Sequence, residues 1–187
     1  MNIITLSGST RTGSHNQRLA SAAFDRLTEL GAQVTALNLS HYPLPLMDVD
    51  LQNTDGIPEA ALELGRLIAG ADGLFVASPE YNGSITPLLK NTIDWVSRIS
   101  TLDDMPVKPW RDRVVCLGSA APGKFGGVRS LPHIRAILQS VGCQVISEQV
   151  SIGNAASAFD GAGQLVGEAE AASLTKACQQ LMRFAAA

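Results

Sequence analysis

Asn2-Ile3-Ile4-Thr5-Leu6-Ser7, running on into Gly8-Ser9-Thr10-Arg11-Thr12-Gly13-Ser14-His15-Asn16, is a strand-like apolar stretch that breaks into a polar, glycine-bearing turn. Past the turn, Leu19, Ala20, Ala23, Phe24, Leu27 and Leu30 recur at helical spacing until Gly31, a residue suited to the left-handed stop of a helix. A strand that feeds a helix through a short turn is half of a crossover unit, and such units build parallel sheets.

The same alternation continues outward. Residues 34–39 read as a second strand, and 40–56, with Pro43, Pro45 and several acids, as a long exposed connection. Pro58 and Glu59 suit the first turn of a helix that continues through Leu64, Leu67 and Ile68. Gly73-Leu74-Phe75-Val76-Ala77 is a short apolar run of the kind buried on both faces of a parallel sheet. Thr86 and Pro87 form an N-cap and first-position pair that opens a helix through Trp95 and Val96. A fourth strand is expected over 113–118, a helix over about 129–141, a fifth strand from 143–146 onward, and a closing alanine-rich helix over about 166–184. Five strands and five helices in this order describe an α/β, doubly wound parallel sheet with helices on both faces. The flavodoxin-like strand order 2-1-3-4-5 is the economical choice, in a single domain over 1–187.

Composition excludes several classes. Apolar residues make up 45% and charged residues 17%, so disorder through low hydrophobicity is out. The formal charge of −3 is dispersed, with no basic stripe for nucleic acid. No stretch approaches the roughly 20 apolar residues of a membrane span, and the start at Met1 shows no basic leader or signal-peptide core. Cys116, Cys143 and Cys178 are widely spaced with no Cys-x-x-Cys pair, so neither a disulfide framework nor a zinc site is indicated, and a cytoplasmic protein is expected. Asp48, Asp50 and Glu59 fall at positions one, three and twelve of a calcium loop, but Gln52 and Asn53 occupy positions five and six, so the segment reads as a solvated loop. His15, His41 and His133 have neither ligand spacing nor a nucleophile motif beside them.

Ligands of an open parallel sheet sit beyond the carboxyl ends of its strands, at the reversal of strand order. The first turn, Ser7 through Asn16, gathers five hydroxyl residues, two glycines and Arg11 where a helix begins. Free amides and the helix dipole favour an anion there, and hydroxyls and a guanidinium add donors to phosphate. A polar turn with an ordinary N-cap accounts for the same composition. Neither the P-loop nor the Gly-x-Gly-x-x-Gly pattern is present, which points away from a magnesium-bound nucleotide and a dinucleotide.

Gly8-Ser9-x-Arg11-x-x-Ser14-x-Asn16-x-x-Leu19-Ala20 resembles the FMN-phosphate loop of the NADPH-dependent FMN reductases. Ser78-Pro79-Glu80-Tyr81-Asn82-Gly83-Ser84-Ile85, followed by Pro87-Leu88-Leu89-Lys90-Asn91-x-Ile93-Asp94-Trp95, resembles the same family's signature at the flavin ring. The two blocks stand in the family's order, each after an expected strand. The resemblance implies that Ser9, Arg11, Ser14 and Asn16 hold the FMN phosphate and that Pro79, Glu80, Tyr81, Asn82 and Gly83 line the isoalloxazine, with Tyr81 as an aromatic wall. Ser119-Ala120-Ala121-Pro122-Gly123-Lys124-Phe125-Gly126-Gly127 is similar to the segment that approaches the pyrimidine side. Many relatives have serine where Ala121 stands, so Ser119 is carried over and a hydroxyl contact at 121 is not.

The implied activity is an FMN-dependent oxidoreductase that takes hydride from NADPH or NADH and reduces a small-molecule acceptor: a quinone, chromate or another metal ion, an azo or nitro compound, or free flavin. The flavin carries the chemistry and no protein residue is assigned a catalytic role. Trp95 and the helix over 88–96 lie where members often form homodimers or homotetramers, although core packing explains the same residues. The readings from other classes are a flavodoxin-type electron carrier and a non-catalytic flavin-binding protein.

Overall fold

A computed structural model describes residues 1–186. Its central sheet has five parallel strands in the order β2-β1-β3-β6-β7: β1 Asn2–Ser7, β2 Gln33–Leu37, β3 Gly73–Ala77, β6 Val114–Ala120 and β7 Gln144–Ile152. In chain order of the sheet strands this is 2-1-3-4-5, the doubly wound arrangement expected from the alternation. The numbers β4 (Thr101–Leu102) and β5 (Met105–Pro106) belong to a small antiparallel hairpin outside the sheet.

Strands β3 and β6 are buried along their whole length, as continuous apolar runs should be when helices cover both faces. Alternate residues divide between the faces. Ile3, Phe75, Cys116 and Val150 pack with Leu19, Ala23 and Leu27 of α1 (His15–Glu29) and with Leu174, Cys178 and Leu181 of α6 (Glu168–Ala185). On the other face, Ile4, Leu6, Leu74, Val76, Val115 and Leu117 meet Leu64 and Ile68 of α3 (Glu59–Ala69), Leu89 and Ile93 of α4 (Pro87–Ser97), and Leu131 and Ile134 of α5 (Ser130–Ser140).

Three features were not foreseen. The connection over 40–56 contains α2 (Val49–Asp55), where Asp48 caps the helix by accepting from the amides of Asp50 and Leu51 at 2.7 and 3.3 Å. Of the acids that mimicked a calcium loop, Asp48 and Asp50 therefore start α2, and Glu59 starts α3. The hairpin of β4 and β5 turns through Asp103 and Asp104, both at positive φ (49° and 63°), without the glycine that usually announces such a turn. Strand β7 reaches Ile152, with a register irregularity opposite Val115 and Leu117. Trp95 is wholly buried, its Nε1 donating to the Pro45 carbonyl at 2.7 Å, so it is a core residue that also pins the connection over 40–56.

Burial raises the pKa of all three thiols, well above the ordinary value for Cys116 and to about 12 for Cys143 and Cys178, so none is a thiolate at neutral pH.

Leu19 sits at the point where α1 meets the sheet and is fully buried. Leu19→Ala should lower unfolding free energy by about 2–5 kcal/mol, read from the urea midpoint; a loss under about 1 kcal/mol would mean that α1 is not anchored there.

Candidate functional site

Three turns lie together beyond the carboxyl ends of β1, β3 and β6. The pairings Ser7↔Ala77 and Ala77↔Gly118 bring the strand ends side by side, and the ladder continues into the turns, with Gly8 N–H donating to the Ala77 carbonyl and Ser78 N–H to the Gly118 carbonyl.

In the first turn, Gly13 (φ 69°) lets the chain reverse into α1, and Ser14 takes the N-cap position with extended backbone. Ser14 is buried, yet its side chain makes no capping bond. Among the described residues, no protein group accepts from the amides of His15, Asn16 and Gln17, and the first turn of α1 carries no acid. Ser9 Oγ accepts from the Arg11 amide at 3.3 Å. The exposed Arg11 guanidinium folds along its own turn, donating to the carbonyls of Thr12 and Gly13 at 3.0 and 3.2 Å. A Cβ at Gly8 would lie 3.0 Å from Ser78 Oγ and 3.2 Å from Leu89 Cβ, so its bareness serves packing between turns.

The side chain of Asn16 is committed within the protein. Its side-chain nitrogen donates to the Ala120 carbonyl at 2.8 Å and its oxygen accepts from the Ala120 amide at 2.9 Å, with the residue buried. The side-chain amide spans the first and third turns, while the backbone amide of Asn16 stays free at the start of α1.

The second turn is a two-residue hairpin. Tyr81 and Ser84 exchange both backbone hydrogen bonds at 3.0 Å, and the central Asn82 and Gly83 have φ of 52° and 80°. That is type I′ geometry, which Asn-Gly strongly favours. Tyr81 and Asn82 are exposed while Pro79 and Gly83 are half-buried. Glu80 is nearly enclosed: its side chain is 9% exposed, and its carboxylate accepts from Arg129 Nε at 2.7 Å and from the Arg129 amide at 3.0 Å. Thr86 caps α4 through the Leu89 amide and donates its hydroxyl to the Gly8 carbonyl at 2.8 Å, fastening the second turn to the first.

In the third turn, Ser119 is fully buried and its hydroxyl has no partner. It lies beneath Gly127 (φ 79°), the close approach that only glycine allows. The structure therefore places Ser119 under the turn rather than on its open side. Phe125 is 68% exposed with Lys124 Nζ 4.9 Å from its ring centre, at the rim.

The sequence model of the NADPH-dependent FMN reductases matches residues 1–157. The chain belongs to the NADPH-dependent FMN reductase family. Within the curated relatives it is 33% identical to a quinone reductase of Escherichia coli (strain K12) over 153 residues, 82% of this chain and 77% of that protein. It is 34% identical to an NADPH:quinone oxidoreductase of Arabidopsis thaliana over 187 residues, 97% of this chain and 90% of that protein. Among solved structures, FerB, a flavoenzyme NAD(P)H:(acceptor) oxidoreductase from Paracoccus denitrificans, superposes with a TM-score of 0.80 at 23% identity, covering 99% of this chain and 97% of that one. This FMN reductase family member is an oxidoreductase with FMN as cofactor and NAD(P)H as electron donor.

The first turn fits that cofactor: a helix start with unaccepted amides, an unused Ser14 hydroxyl and a nearby guanidinium is chemically matched to a phosphate monoester. In the sequence Arg129 reads only as the start of a helix and His133 carries no role, although a signal for the first is present. An arginine at the start of a helix opposes the helix dipole, which calls for a carboxylate partner from elsewhere.

His15 opens α1 with its Nδ1 buried and unpartnered. Burial, then the charges of Arg11 and Arg18, hold its pKa below the usual 6.5. Above pH 6.5 the imidazole is neutral folded and unfolded, and contributes no pH dependence. As pH falls below that value the unfolded chain takes up the proton first, so His15 subtracts stability on the acid side only. Flavin-free His15→Asn should lose less stability than the parent below pH 6.5, and identical acid slopes would contradict the cause given. Asn16→Ala strands the buried Ala120 amide and carbonyl, at a cost of about 1–3 kcal/mol for each group left unpaired; a urea midpoint equal to that of the parent would remove the strut.

Proposed function

We propose that the three turns hold FMN and that the protein uses it to carry electrons from NADPH or NADH to a small oxidised acceptor, with quinones first among the candidates. The observation that carries this is the amino end of α1, where the amides of His15, Asn16 and Gln17 have no protein acceptor and Arg11 stands beside them. Bound there, FMN would supply the redox chemistry between nicotinamide and acceptor.

The chain's own contributions divide by turn. Ser9, Arg11 and Ser14 bind the phosphate with hydroxyl and guanidinium donors, beside the helix amides. The hairpin of Tyr81, Asn82 and Gly83, with Pro79 before it, flanks the ring, and Tyr81, 51% exposed, walls the pocket. Glu80 and Asn16 hold turns in place, and Ser119 supports Gly127 from below. The Glu80 carboxylate beside the hairpin is taken by Arg129, so it offers the site a fixed support rather than a free base. Such a pocket positions a flavin and admits acceptors of differing shape.

Quinones lead because several relatives at 33% identity or more carry quinone in their names, from Escherichia coli, Solanum tuberosum and Arabidopsis thaliana. Chromate, azo and nitro compounds and free flavin are the further acceptors to test. The whole chain, 1–187, acts as one flavin-binding domain.

Anaerobic titration of the FMN-loaded protein with NADPH and with NADH should bleach the flavin, and an acceptor panel should then restore colour with steady turnover. Bleaching by neither nucleotide would reject the enzyme, and bleaching without turnover on any small acceptor would favour an electron carrier. Arg11→Ala should weaken FMN binding roughly tenfold or more, as expected for a lost charge-assisted contact; unchanged affinity in a fluorescence titration would remove Arg11 from the phosphate site.

A further inference from the structure

We infer that Glu80, Arg129 and His133 form a two-point latch through which helix α5 sets the position of the hairpin over residues 81–84, making all three positioning residues for the flavin turn. The functional half rests on the proposed placement of the flavin ring at that hairpin; the mechanical half stands on the protein geometry alone.

The hairpin cannot hold itself. It has two cross-bonds, between Tyr81 and Ser84, and its outer residues Tyr81 and Asn82 are exposed. Two-stranded hairpins of even greater length are marginal alone. Its entering end is fixed by Glu80, whose Oε1 accepts from Arg129 Nε at 2.7 Å and Nη2 at 2.5 Å while Oε2 accepts from the Arg129 amide at 3.0 Å. Its leaving end is fixed by Ser84, whose Oγ lies 3.0 Å from His133 Nδ1. Arg129 and His133 are four residues apart, so they present to one side of α5 at successive turns. The two ends of the hairpin therefore meet a single rigid element.

The carboxylate does a second task at the same place. Arg129 is the N-cap of α5 in αR conformation, with no side-chain cap and no acid in the helix's first turn. A cation there opposes the helix dipole, and Glu80, arriving from 49 residues earlier in the chain, supplies the missing negative charge and takes the Arg129 amide. Glu80 is nearly enclosed, at 9% side-chain exposure, whereas Arg129 is 75% exposed. The arginine thus folds down onto a carboxylate already held by the second turn. Because Gly126 and Gly127 lead through Val128 into Arg129, the same contact couples the ring hairpin to the third turn.

Glu80→Gln, Arg129→Gln, the double variant and His133→Ala test this. Amide hydrogen exchange at Tyr81 and Ser84 in the flavin-free protein should rise in every single variant, while the strand amides of β3 and β6 stay as protected as in the parent. In the loaded protein, FMN should bind about tenfold more weakly in Glu80→Gln and in Arg129→Gln, the scale of one hydrogen bond to a charged group. The double variant should be no weaker than the weaker single, because each change removes the same contact. Bound-flavin absorption should shift with the released hairpin, which a loss of global stability alone would not produce. If Glu80→Gln fails to fold, Arg129→Gln, altered at an exposed side chain, decides the matter. Unchanged exchange at Tyr81 and Ser84 in Arg129→Gln overturns the latch, as do FMN effects of the two singles that multiply in the double variant. Raised exchange with unchanged FMN affinity overturns the placement of the flavin ring on the hairpin and leaves the mechanical contact standing.

Discussion

A buried asparagine binds the ends of the molecule's working surface together. Asn16 exchanges two hydrogen bonds with the backbone of Ala120, 104 residues away, and so fixes the start of α1 against the end of β6. The bond pair is fully enclosed, so neither partner has water to fall back on, and the two turns cannot separate without leaving polar groups unpaired. Thr86 performs the matching task between the second turn and the first. The sheet brings three strand ends side by side; these side chains turn three neighbouring loops into one rigid cradle.

That rigidity suits a protein whose chemistry belongs to its cofactor. A flavin needs its phosphate held, its ring flanked and its surroundings fixed before electrons move, and fixed donors cost no reorganisation during the reaction. Several polar residues around the turns are accordingly spent on one another or on backbone. Glu80 is occupied by Arg129, Asn16 by Ala120 and Thr86 by Gly8, while the cysteines are held as buried thiols. What is left open is the amino end of α1 and the exposed rim of Tyr81 and Phe125.

The family model ends at residue 157, yet the core does not. Helix α6 sends Leu174, Ala177, Cys178 and Leu181 into the cluster that also contains Leu19 and Phe75. The closing helix thereby completes the face of the sheet on which α1 rests, and so supports the turn that opens α1.

The fold was legible in the sequence because a parallel sheet buried on both faces leaves a plain record. Apolar runs such as Gly73–Ala77 and the 3.6-residue spacing of Leu19, Ala23 and Leu27 are local patterns, as are the Thr86-Pro87 cap and the Asn82-Gly83 turn. The turns that form the candidate site were visible for the same reason, in composition and in resemblance to a family. The helix Val49–Asp55 was hidden by prolines before it, and the hairpin at 101–106 by a turn built from two aspartates. What the sequence could not determine was the direction in which each polar side chain of the turns points. Read along the chain, Asn16, Glu80 and Ser119 carry no sign of where their side chains lie. Only tertiary contacts spanning 49 and 104 residues, and the approach of Gly127, commit them inward, since a hydrogen bond between distant segments depends on strand order and leaves no periodicity behind.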